Sequence, residues 1–302
     1  MPGSPERRAR LISVTQRLVI TGAGGQVGRF LTVEAARRGY DVQPLSRSEY
    51  DITDAAAAER HIQSGDVVVN CAAMTNVDAA EKDPVTAEAI NAAGPGNIAR
   101  ACAKAGARLV HISTDYVFSG DSRIPYEVGD ATGPLSVYGR TKLDGERAVQ
   151  AALPEAHIVR TSWVYTGAVG SDFVAVMRKL AASDRNPEVV DDQTGSPTYA
   201  KDLADALLEV VAGGVGGPVL HAVNSGSASR YEQARAVFAG VGADLDRVRP
   251  VSTAAYPRPA RRPVCAVLSM TQSVRAGLTP LRPWREALTE ALAVPLGSGP
   301  IP

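Results

Sequence analysis

A glycine-rich turn lies between a short apolar strand and a helix near the N-terminus, and this order strongly restricts the fold. Residues 17–21 read as a buried strand, and residues 22–28, Gly-Ala-Gly-Gly-Gln-Val-Gly, lead into a helical stretch. Gly22 and Gly25 let the backbone turn tightly and approach a pyrophosphate, Gly28 permits close helix packing, and the helix N-terminus supplies amide donors and a positive dipole. Because the spacing is GxxGxxG and not the strict GxGxxG, an ordinary glycine turn is the alternative to a dinucleotide-binding turn.

Strand-like and helix-like segments alternate through the first half of the chain. Helical patterns start near residues 55, 84 and 135. Further buried strands are predicted at residues 41–45, 67–70, 108–113 and 157–163. The alternation predicts an α/β fold with a doubly wound parallel sheet of the Rossmann type. Ligands in such sheets bind beyond the carboxyl ends of the strands, so the residues just after each strand are the candidate site positions.

The second half has a looser pattern, interrupted by proline-rich loops. Helices are predicted there near residues 173–182, 201–212, 230–239 and 283–292. We expect a smaller C-terminal substrate-binding lobe, some of whose elements return to the sheet. The predicted division is a disordered leader over residues 1–16, without the apolar segment of a signal peptide, a dinucleotide-binding domain over 17–165 and the lobe over 166–302.

The composition excludes several classes of function. The 302 residues carry 32 basic and 32 acidic side chains and no sustained basic stripe, so neither nucleic acid nor a membrane is an expected partner. No apolar run is long enough to cross a bilayer. Cys71, Cys102 and Cys265 are scattered and form no CxxC, which argues against a disulfide framework or a zinc site and suits a cytoplasmic protein. The four histidines, His111 among them, are expected in core or edge positions and not as metal ligands.

A tyrosine and a lysine lie four residues apart in a segment that reads as the start of a helix. Tyr138 and Lys142 therefore share a helix face, and the lysine can place its charge beside the phenol or beside a bound sugar. Reducing a ketone needs a hydride on carbon and a proton on oxygen, and a cation lowers the tyrosine pKa from about 10 toward neutrality. Tyr138 is thus a candidate general acid. For an isolated YxxxK, a core tyrosine and a solvated lysine are the alternative.

Two hydroxyl residues, Ser113 and Thr114, stand at the end of the fourth predicted strand. A hydroxyl there can hydrogen-bond a substrate carbonyl alongside Tyr138, and several preorganised donors on one carbonyl give the stabilisation that usually supplies most of the rate. Taken alone, such a pair is more often a cap or turn former. The ordered set of glycine turn, hydroxyl pair and YxxxK indicates a carbonyl reductase.

Residues after the second strand bear on the choice of cofactor. An NAD enzyme usually carries an acidic residue there for the ribose 2′-hydroxyl, whereas this strand is followed by Ser46 and Arg47, which suits the 2′-phosphate of NADPH. Glu49 lies close enough to keep NADH as an alternative. Asp51 and Ile52 either receive the adenine or belong to the cap of the next helix.

These features together resemble the dTDP-4-dehydrorhamnose reductase family within the extended short-chain dehydrogenases/reductases, over residues 18–292. The most diagnostic segment is 191–198, Asp-Asp-Gln-Thr-Gly-Ser-Pro-Thr, which separates this family from epimerases and dehydratases that share YxxxK. The other matching segments are 22–28, 70–78, 113–118, 137–146, 160–165 and Arg262-Pro263. Met74 and Ala266 depart from the pattern, where the family commonly has tyrosine or histidine and a small hydroxyl residue.

The resemblance implies a role for each matching residue. Tyr138 would donate the proton, Lys142 would bind the nicotinamide ribose and lower the tyrosine pKa, and Thr114 would hold the C4 carbonyl. Trp163 would stack on thymine or line the sugar pocket, and Arg262 would meet the diphosphate. Thr75 and Val77 would border the sugar. The expected cofactor contacts are Gly22, Gly25, Gln26, Val27, Gly28, Arg47, Asp51, Ile52, Cys71, Ala72, Ala73, Asn91, Tyr138 and Lys142.

The activity implied by the resemblance is NADPH-dependent reduction of the 4-keto group of dTDP-4-dehydro-6-deoxy-L-mannose to dTDP-L-rhamnose. The alternatives are a non-catalytic NADP-binding regulatory subunit and a nucleotide-sugar epimerase or dehydratase. Some members of the family are magnesium-bridged dimers, but no acidic cluster in this sequence matches such a site. A need for Mg²⁺ and the choice between monomer and homodimer therefore stay open.

Overall fold

A parallel six-stranded sheet organises the first half of the protein. The structure, a computed structural model, describes residues 16–168, 170 and 172–297, so the predicted leader lies outside the described residues except for Gln16. The sheet and three smaller strand pairs are built from all the strands of the described residues. These are β1 (Arg17–Thr21), β2 (Asp41–Leu45), β3 (Val67–Asn70), β4 (Arg108–Thr114), β5 (His157–Thr161), β6 (Val164–Tyr165), β7 (Glu188–Val190), β8 (Thr194–Gly195), β9 (Thr198–Tyr199), β10 (Val219–His221), β11 (Ala228–Ser229) and β12 (Arg249–Val251).

Helices lie on both faces of this sheet and in the second half of the chain. They are α1 (Gln26–Arg37), α2 (Ala55–His61), α3 (Val77–Lys82), α4 (Pro84–Glu88), α5 (Gly94–Ala105), α6 (Val137–Ala152), α7 (Phe173–Ala181), α8 (Ala200–Ala212), α9 (Arg230–Gly240), α10 (Thr271–Arg275) and α11 (Trp284–Ala293). Short 3₁₀ turns occur at Asp115–Val117, Leu245–Arg247 and Thr253–Ala255.

The strand order is β10-β5-β4-β3-β1-β2, with every neighbouring pair parallel. Successive valines of β3 point to opposite faces: Val67 and Val69 pack in the core shared with α1 and α8, whereas Val68 packs in the core shared with α2, α5 and α6. The predicted doubly wound fold is confirmed. Since the order reverses between β1 and β3, a ligand crevice is expected at their carboxyl ends.

The second half packs around a separate apolar core. Side chains of α7, α9 and α11, among them Phe238 and Trp284, surround Tyr165 and Tyr199. Two elements of this half lie with the sheet: β10 pairs with β5, and α8 packs on α1. Within the described part of the chain, no helix is both long and apolar enough to cross a membrane.

Two local predictions need correction. The strand predicted over 157–163 ends at Thr161, because its pairing with β4 stops at Thr114 and Trp163 adopts a positive φ of 46°. The helix predicted from Pro84 is interrupted by a π-helical turn over Ala89–Ala93. Such turns occur frequently at functional sites, and this one carries the predicted cofactor contact Asn91.

Candidate active site

Helix α6 delivers the tyrosine and the lysine to the carboxyl end of β4. It begins at Val137, as the sequence predicts, and the Ser136 hydroxyl caps it by accepting from the Gly139 amide at 3.1 Å. A Cβ at Gly139 would lie 2.2 Å from the Tyr116 carbonyl oxygen. Glycine at this position therefore lets the start of α6 rest directly on the turn that follows Thr114.

Lys142 is almost fully buried behind this turn. Its ammonium donates to the Ile112 carbonyl at 2.6 Å and lies 3.5 Å from Nε2 of His111. Burial lowers the pKa of Lys142 to about 8, partly opposed by Glu146, and burial also holds the pKa of His111 well below its usual value. The lysine therefore faces a neutral imidazole.

A buried polar chain fixes that imidazole. Nδ1 of His111 lies 3.0 Å from Nδ2 of Asn70, and the amide oxygen of Asn70 accepts from the Thr21 hydroxyl at 2.6 Å. The chain thus ties β1, β3 and β4 together beneath the lysine. Sequence reasoning placed His111 correctly in the core but missed that it borders Lys142, because contacts between strands are not visible in local patterns.

Tyr138 is also buried, and its environment overturns one expectation. Burial raises its pKa above the usual value near 10, as do the neighbouring Asp115 and Tyr116, while a hydrogen bond with Thr114 opposes the rise. The expectation that Lys142 lowers this pKa is wrong for the protein without ligands, because desolvation dominates. The phenol is therefore fully protonated at neutral pH and able to donate.

Thr114 stands at the centre of a hydrogen-bonded group. Its hydroxyl donates to Oδ1 of Asp115 at 2.9 Å and accepts from the Tyr116 amide at 3.2 Å. Oδ2 of Asp115 accepts from the Ser162 hydroxyl at 2.7 Å. Burial raises the pKa of Asp115 to about 6, although these two hydroxyls and Arg230 oppose the rise. Sequence reasoning placed Asp115 in the matching segment 113–118, directly after Thr114, but gave it no role of its own.

A cleft of about 380 Å³ opens at the carboxyl ends of β1 and β3, and Met74 of its lining packs in the same apolar cluster as Tyr138. Gly22 has a positive φ of 65°, and a Cβ there would lie 2.7 Å from Ala72. A Cβ at Gly28 would lie 2.4 Å from the Gly22 carbonyl oxygen, so the turn cannot carry larger residues at either place. The cleft is lined by Gly22, Gly24, Gly25, Arg47, Tyr50, Asp51, Ile52, Cys71, Ala72, Ala73, Met74, Thr86 and Ile90.

The residues of this cleft fit a dinucleotide. Helix α1 starts after Gly25 without a side-chain cap, which leaves its first amides to a phosphate, and a Cβ at Gly24 would meet nothing within 4 Å. Gln26 at the helix start is exposed, whereas Val27 is half-buried against the sheet core. The glycine turn thus offers open space above a helix N-terminus.

The far end of the cleft bears on the ribose phosphate. The Glu49 carboxylate accepts from the Ser46 amide at 2.8 Å and from the Ser46 hydroxyl at 2.7 Å, while the exposed Arg47 lines the cleft. Asp51 accepts from both the amide and the hydroxyl of Thr53, and Asp54 caps α2. Glu49, the carboxylate best placed to bind a ribose diol, is therefore already hydrogen-bonded to Ser46.

The loop after β3 forms one wall of the cleft, and Asn91 holds it in place. The fully buried Asn91 amide accepts from the Met74 amide at 2.8 Å and donates to the Met74 carbonyl and to the Thr141 hydroxyl. Thr75 is exposed, and Val77 packs beside Tyr138. Asn91 thus positions backbone that lines the predicted cofactor site.

Trp163 and Arg230 form a stacked pair next to the Thr114 turn. The guanidinium carbon of Arg230 lies 3.5 Å from the Trp163 ring centroid, and a Cβ at Gly195 would lie 2.4 Å from the ring. Burial lowers the pKa of Arg230 to about 10. The diagnostic segment 191–198 holds this pair, since the Gln193 carbonyl accepts from the Arg230 amide. Sequence reasoning missed Arg230, which no local pattern distinguishes from a helix-surface arginine.

Arg262 is brought to the same side by Asp78. It forms a two-bond ion pair with the Asp78 carboxylate at 2.7 and 2.9 Å, and Arg258 binds the same carboxylate at 2.6 Å. The hydrogen bonds from Arg262 hold the pKa of Asp78 far below its usual range. In the described ranges, no group of three or more His, Cys, Asp or Glu side chains is arranged to hold a metal ion.

Comparison with known proteins decides the family. The profile of the family described as "RmlD substrate binding domain" matches residues 16–295. A "dTDP-4-dehydrorhamnose reductase" of Mycobacterium tuberculosis is 60% identical over 288 residues, which are 94% of this chain and 95% of that protein. The chain belongs to the dTDP-4-dehydrorhamnose reductase family.

Solved structures of dTDP-4-dehydrorhamnose reductases share the fold. That from Clostridium acetobutylicum superposes with a TM-score of 0.88 at 38% identity, and that from Bacillus anthracis, in complex with NADP, with a TM-score of 0.88 at 36% identity. Each match covers 92% of this chain and 99% of the other. The family resemblance inferred from the motifs is thereby confirmed.

Proposed function

We propose that this chain reduces the 4-keto group of dTDP-4-dehydro-6-deoxy-L-mannose to dTDP-L-rhamnose with NADPH. The observation that carries the proposal is the convergence of Tyr138, Thr114 and Lys142 at the carboxyl end of β4, beside the glycine-lined cleft. Relatives named dTDP-4-dehydrorhamnose reductase along nearly the whole chain support the substrate, and the NADP complex of one relative supports the cofactor.

The chain's own residues account for the reaction in a simple way. NADPH, when bound, supplies the hydride. The glycine turn and the α1 N-terminus would hold its pyrophosphate, and Arg47 its ribose phosphate. Lys142 would bind the nicotinamide ribose, and Tyr138, protonated at neutral pH, would donate its proton to the carbonyl oxygen as the hydride arrives at carbon.

The substrate side offers groups of the right chemistry for a nucleoside diphosphate sugar. Arg230 and Arg262 are cations near the Thr114 turn, and Trp163 is a half-buried aromatic ring at the same edge. We propose that Arg262 meets the diphosphate, that Trp163 lines the base or sugar pocket, and that Thr75 and Val77 border the sugar. We also propose a cytoplasmic location, which the free thiols of the three cysteines suit.

Loss of reduced-nicotinamide absorbance with purified protein and the keto sugar tests the function. Wild type should consume NADPH, and Tyr138→Phe should lose about 10²- to 10⁴-fold in kcat, the usual contribution of general acid catalysis. Tyr165→Phe is the matched control, because its buried hydroxyl has no hydrogen-bond partner among the described residues and lies in the C-terminal core. A wild type without NADPH consumption, or a Tyr138→Phe loss below about tenfold, would refute the proposal.

The same assay separates the two alternatives. An epimerase would convert substrate without net consumption of cofactor. A regulatory subunit would bind NADPH, seen as a change in nicotinamide fluorescence, yet turn over no sugar alone or with added partner. The buried, hydrogen-bonded arrangement of Thr114, Tyr138 and Lys142 favours the reductase over a regulatory subunit, and the relatives named dTDP-4-dehydrorhamnose reductase favour it over an epimerase.

A further inference from the structure

Thr114 has one hydroxyl proton, and its hydrogen-bond partners limit where that proton can go. The hydroxyl donates to Asp115, accepts from the Tyr116 amide and shares a further hydrogen bond with the Tyr138 phenol. While Asp115 is ionised, Thr114 can therefore donate to nothing else. In that arrangement the tyrosine proton points at Thr114 and away from a substrate.

Protonation of Asp115 would reverse the direction of this hydrogen-bond chain. A carboxylic acid at Asp115 donates to Thr114, Thr114 then donates to the Tyr138 oxygen, and the tyrosine proton is free to point at a carbonyl. The Asp115 carboxyl is 2% exposed and forms no ion pair within the described residues, so it can hold a proton at ordinary pH.

We propose that Asp115 is the proton store of the site and recharges Tyr138 through the Thr114 hydroxyl. The idea rests on the proposed reduction. As the hydride from NADPH adds to the carbonyl carbon, the Tyr138 proton passes to the carbonyl oxygen, the Thr114 proton passes to Tyr138, and the Asp115 proton passes to Thr114. The products are the alcohol, NADP⁺ and an Asp115 carboxylate, which takes up one proton from water before the next turnover.

The surroundings of Asp115 suit this role. Tyr116 on the same turn and Tyr138 on α6 are neutral, and Arg230 on α9 is the cation that faces it. Burial outweighs that cation and the two hydroxyl donors, and it raises the pKa of Asp115 to about 6. Lys142 is bound to the Ile112 carbonyl and lies beside His111, so it is no part of this route.

The pH dependence of kcat tests the proposal in the active enzyme. In wild type, kcat should fall about tenfold per pH unit once the pH is well above 6, because one protonated group is required. Asp115→Asn can keep both hydrogen-bond contacts but stores no proton, so its kcat should be lower at pH 6 by at least about tenfold and flat up to pH 8. A purely structural aspartate would instead lower kcat at every pH and leave the falling limb in place, which would overturn the proposal.

Ser162→Ala provides a second variant that does not touch the relay itself. Its hydroxyl stabilises the Asp115 carboxylate, so removing it should move the falling limb to higher pH by about one pH unit. If the falling limb of the kcat–pH profile does not move in Ser162→Ala, the proposal is contradicted. This test holds even if Asp115→Asn does not fold.

Infrared difference spectra of the protein without substrate supply a readout independent of turnover. Wild type minus Asp115→Asn, or wild type minus Ser162→Ala, should show a carboxylic acid band that titrates near pH 6. No such band between pH 5 and 7 would overturn the proton store. A wild type that consumes no NADPH overturns the proposed function, whereas an active enzyme whose pH profile ignores Asp115 overturns only the relay.

Discussion

Replacing Glu146 by glutamine should destabilise the protein far more than its position near the end of the YxxxK segment suggests. Glu146 and Arg160 form a two-bond ion pair at 2.9 and 2.7 Å, and the two side chains are only 4% and 6% exposed. Removing one partner of a buried pair leaves the other charge uncompensated and costs about 3–5 kcal/mol. Since glutamine can still accept one guanidinium hydrogen bond, we expect the lower end, about 3 kcal/mol.

Urea unfolding of wild type and variants measures this loss. The matched control is Asp144→Asn on the same helix, whose ion pair with Arg147 is exposed and should be worth about 0.2–1 kcal/mol. Glu146→Gln should also lower the Lys142 pKa below about 8, because Glu146 contributes the larger of the two effects that oppose burial. Equal losses for the two variants would refute the reasoning that burial makes this pair different.

Three further changes test other parts of the structure. Gly145→Ala places a Cβ 2.1 Å from the Asn91 carbonyl oxygen and should lower the free energy of unfolding by about 1–3 kcal/mol, whereas Gly129→Ala, which meets nothing within 4 Å, should leave it nearly unchanged in the same urea assay. Arg47→Ala should raise KM for NADPH about tenfold or more and leave KM for NADH nearly unchanged; equal effects would contradict a role at the 2′-phosphate. Asp78→Asn should lower the free energy of unfolding at pH 7. Because the pKa of Asp78 is depressed in the folded protein, the difference in unfolding free energy between the variant and wild type should shrink as the pH falls below about 4. A difference that does not depend on pH would refute the ion-pair account.

Much of the fold follows from local sequence signals. The boundaries of β1, β2 and β3 agree with the predicted strands, and α6 begins at Val137, close to the helical pattern predicted near residue 135. These elements are short, strongly apolar or clearly capped, so local preference and tertiary packing agree. The end of the fifth strand was predicted wrongly, because its pairing stops where β4 ends, at Thr114 opposite Thr161, and Trp163 then adopts a positive φ.

The candidate site was predictable where a motif carries its own chemistry. The glycine turn, Thr114, Tyr138 and Lys142 were all identified from their residue types and spacing, and the structure brings them to one edge of the sheet. His111 beside the lysine and Arg230 above the tryptophan were missed, because each acts through a contact with a residue distant in sequence.

The amino-acid sequence alone determined the order of strand, glycine turn and helix and the shared helix face of the tyrosine and lysine, since both depend on neighbouring residues and regular backbone geometry. Tertiary structure decided the charges and the direction of the hydrogen bonds. Burial keeps Tyr138 protonated and raises the pKa of Asp115 to about 6, and packing places the Thr114 hydroxyl against that carboxyl group. The physical reason is that the free energy of an ionised group depends on its solvation and on partners brought from elsewhere in the chain, which no local pattern specifies.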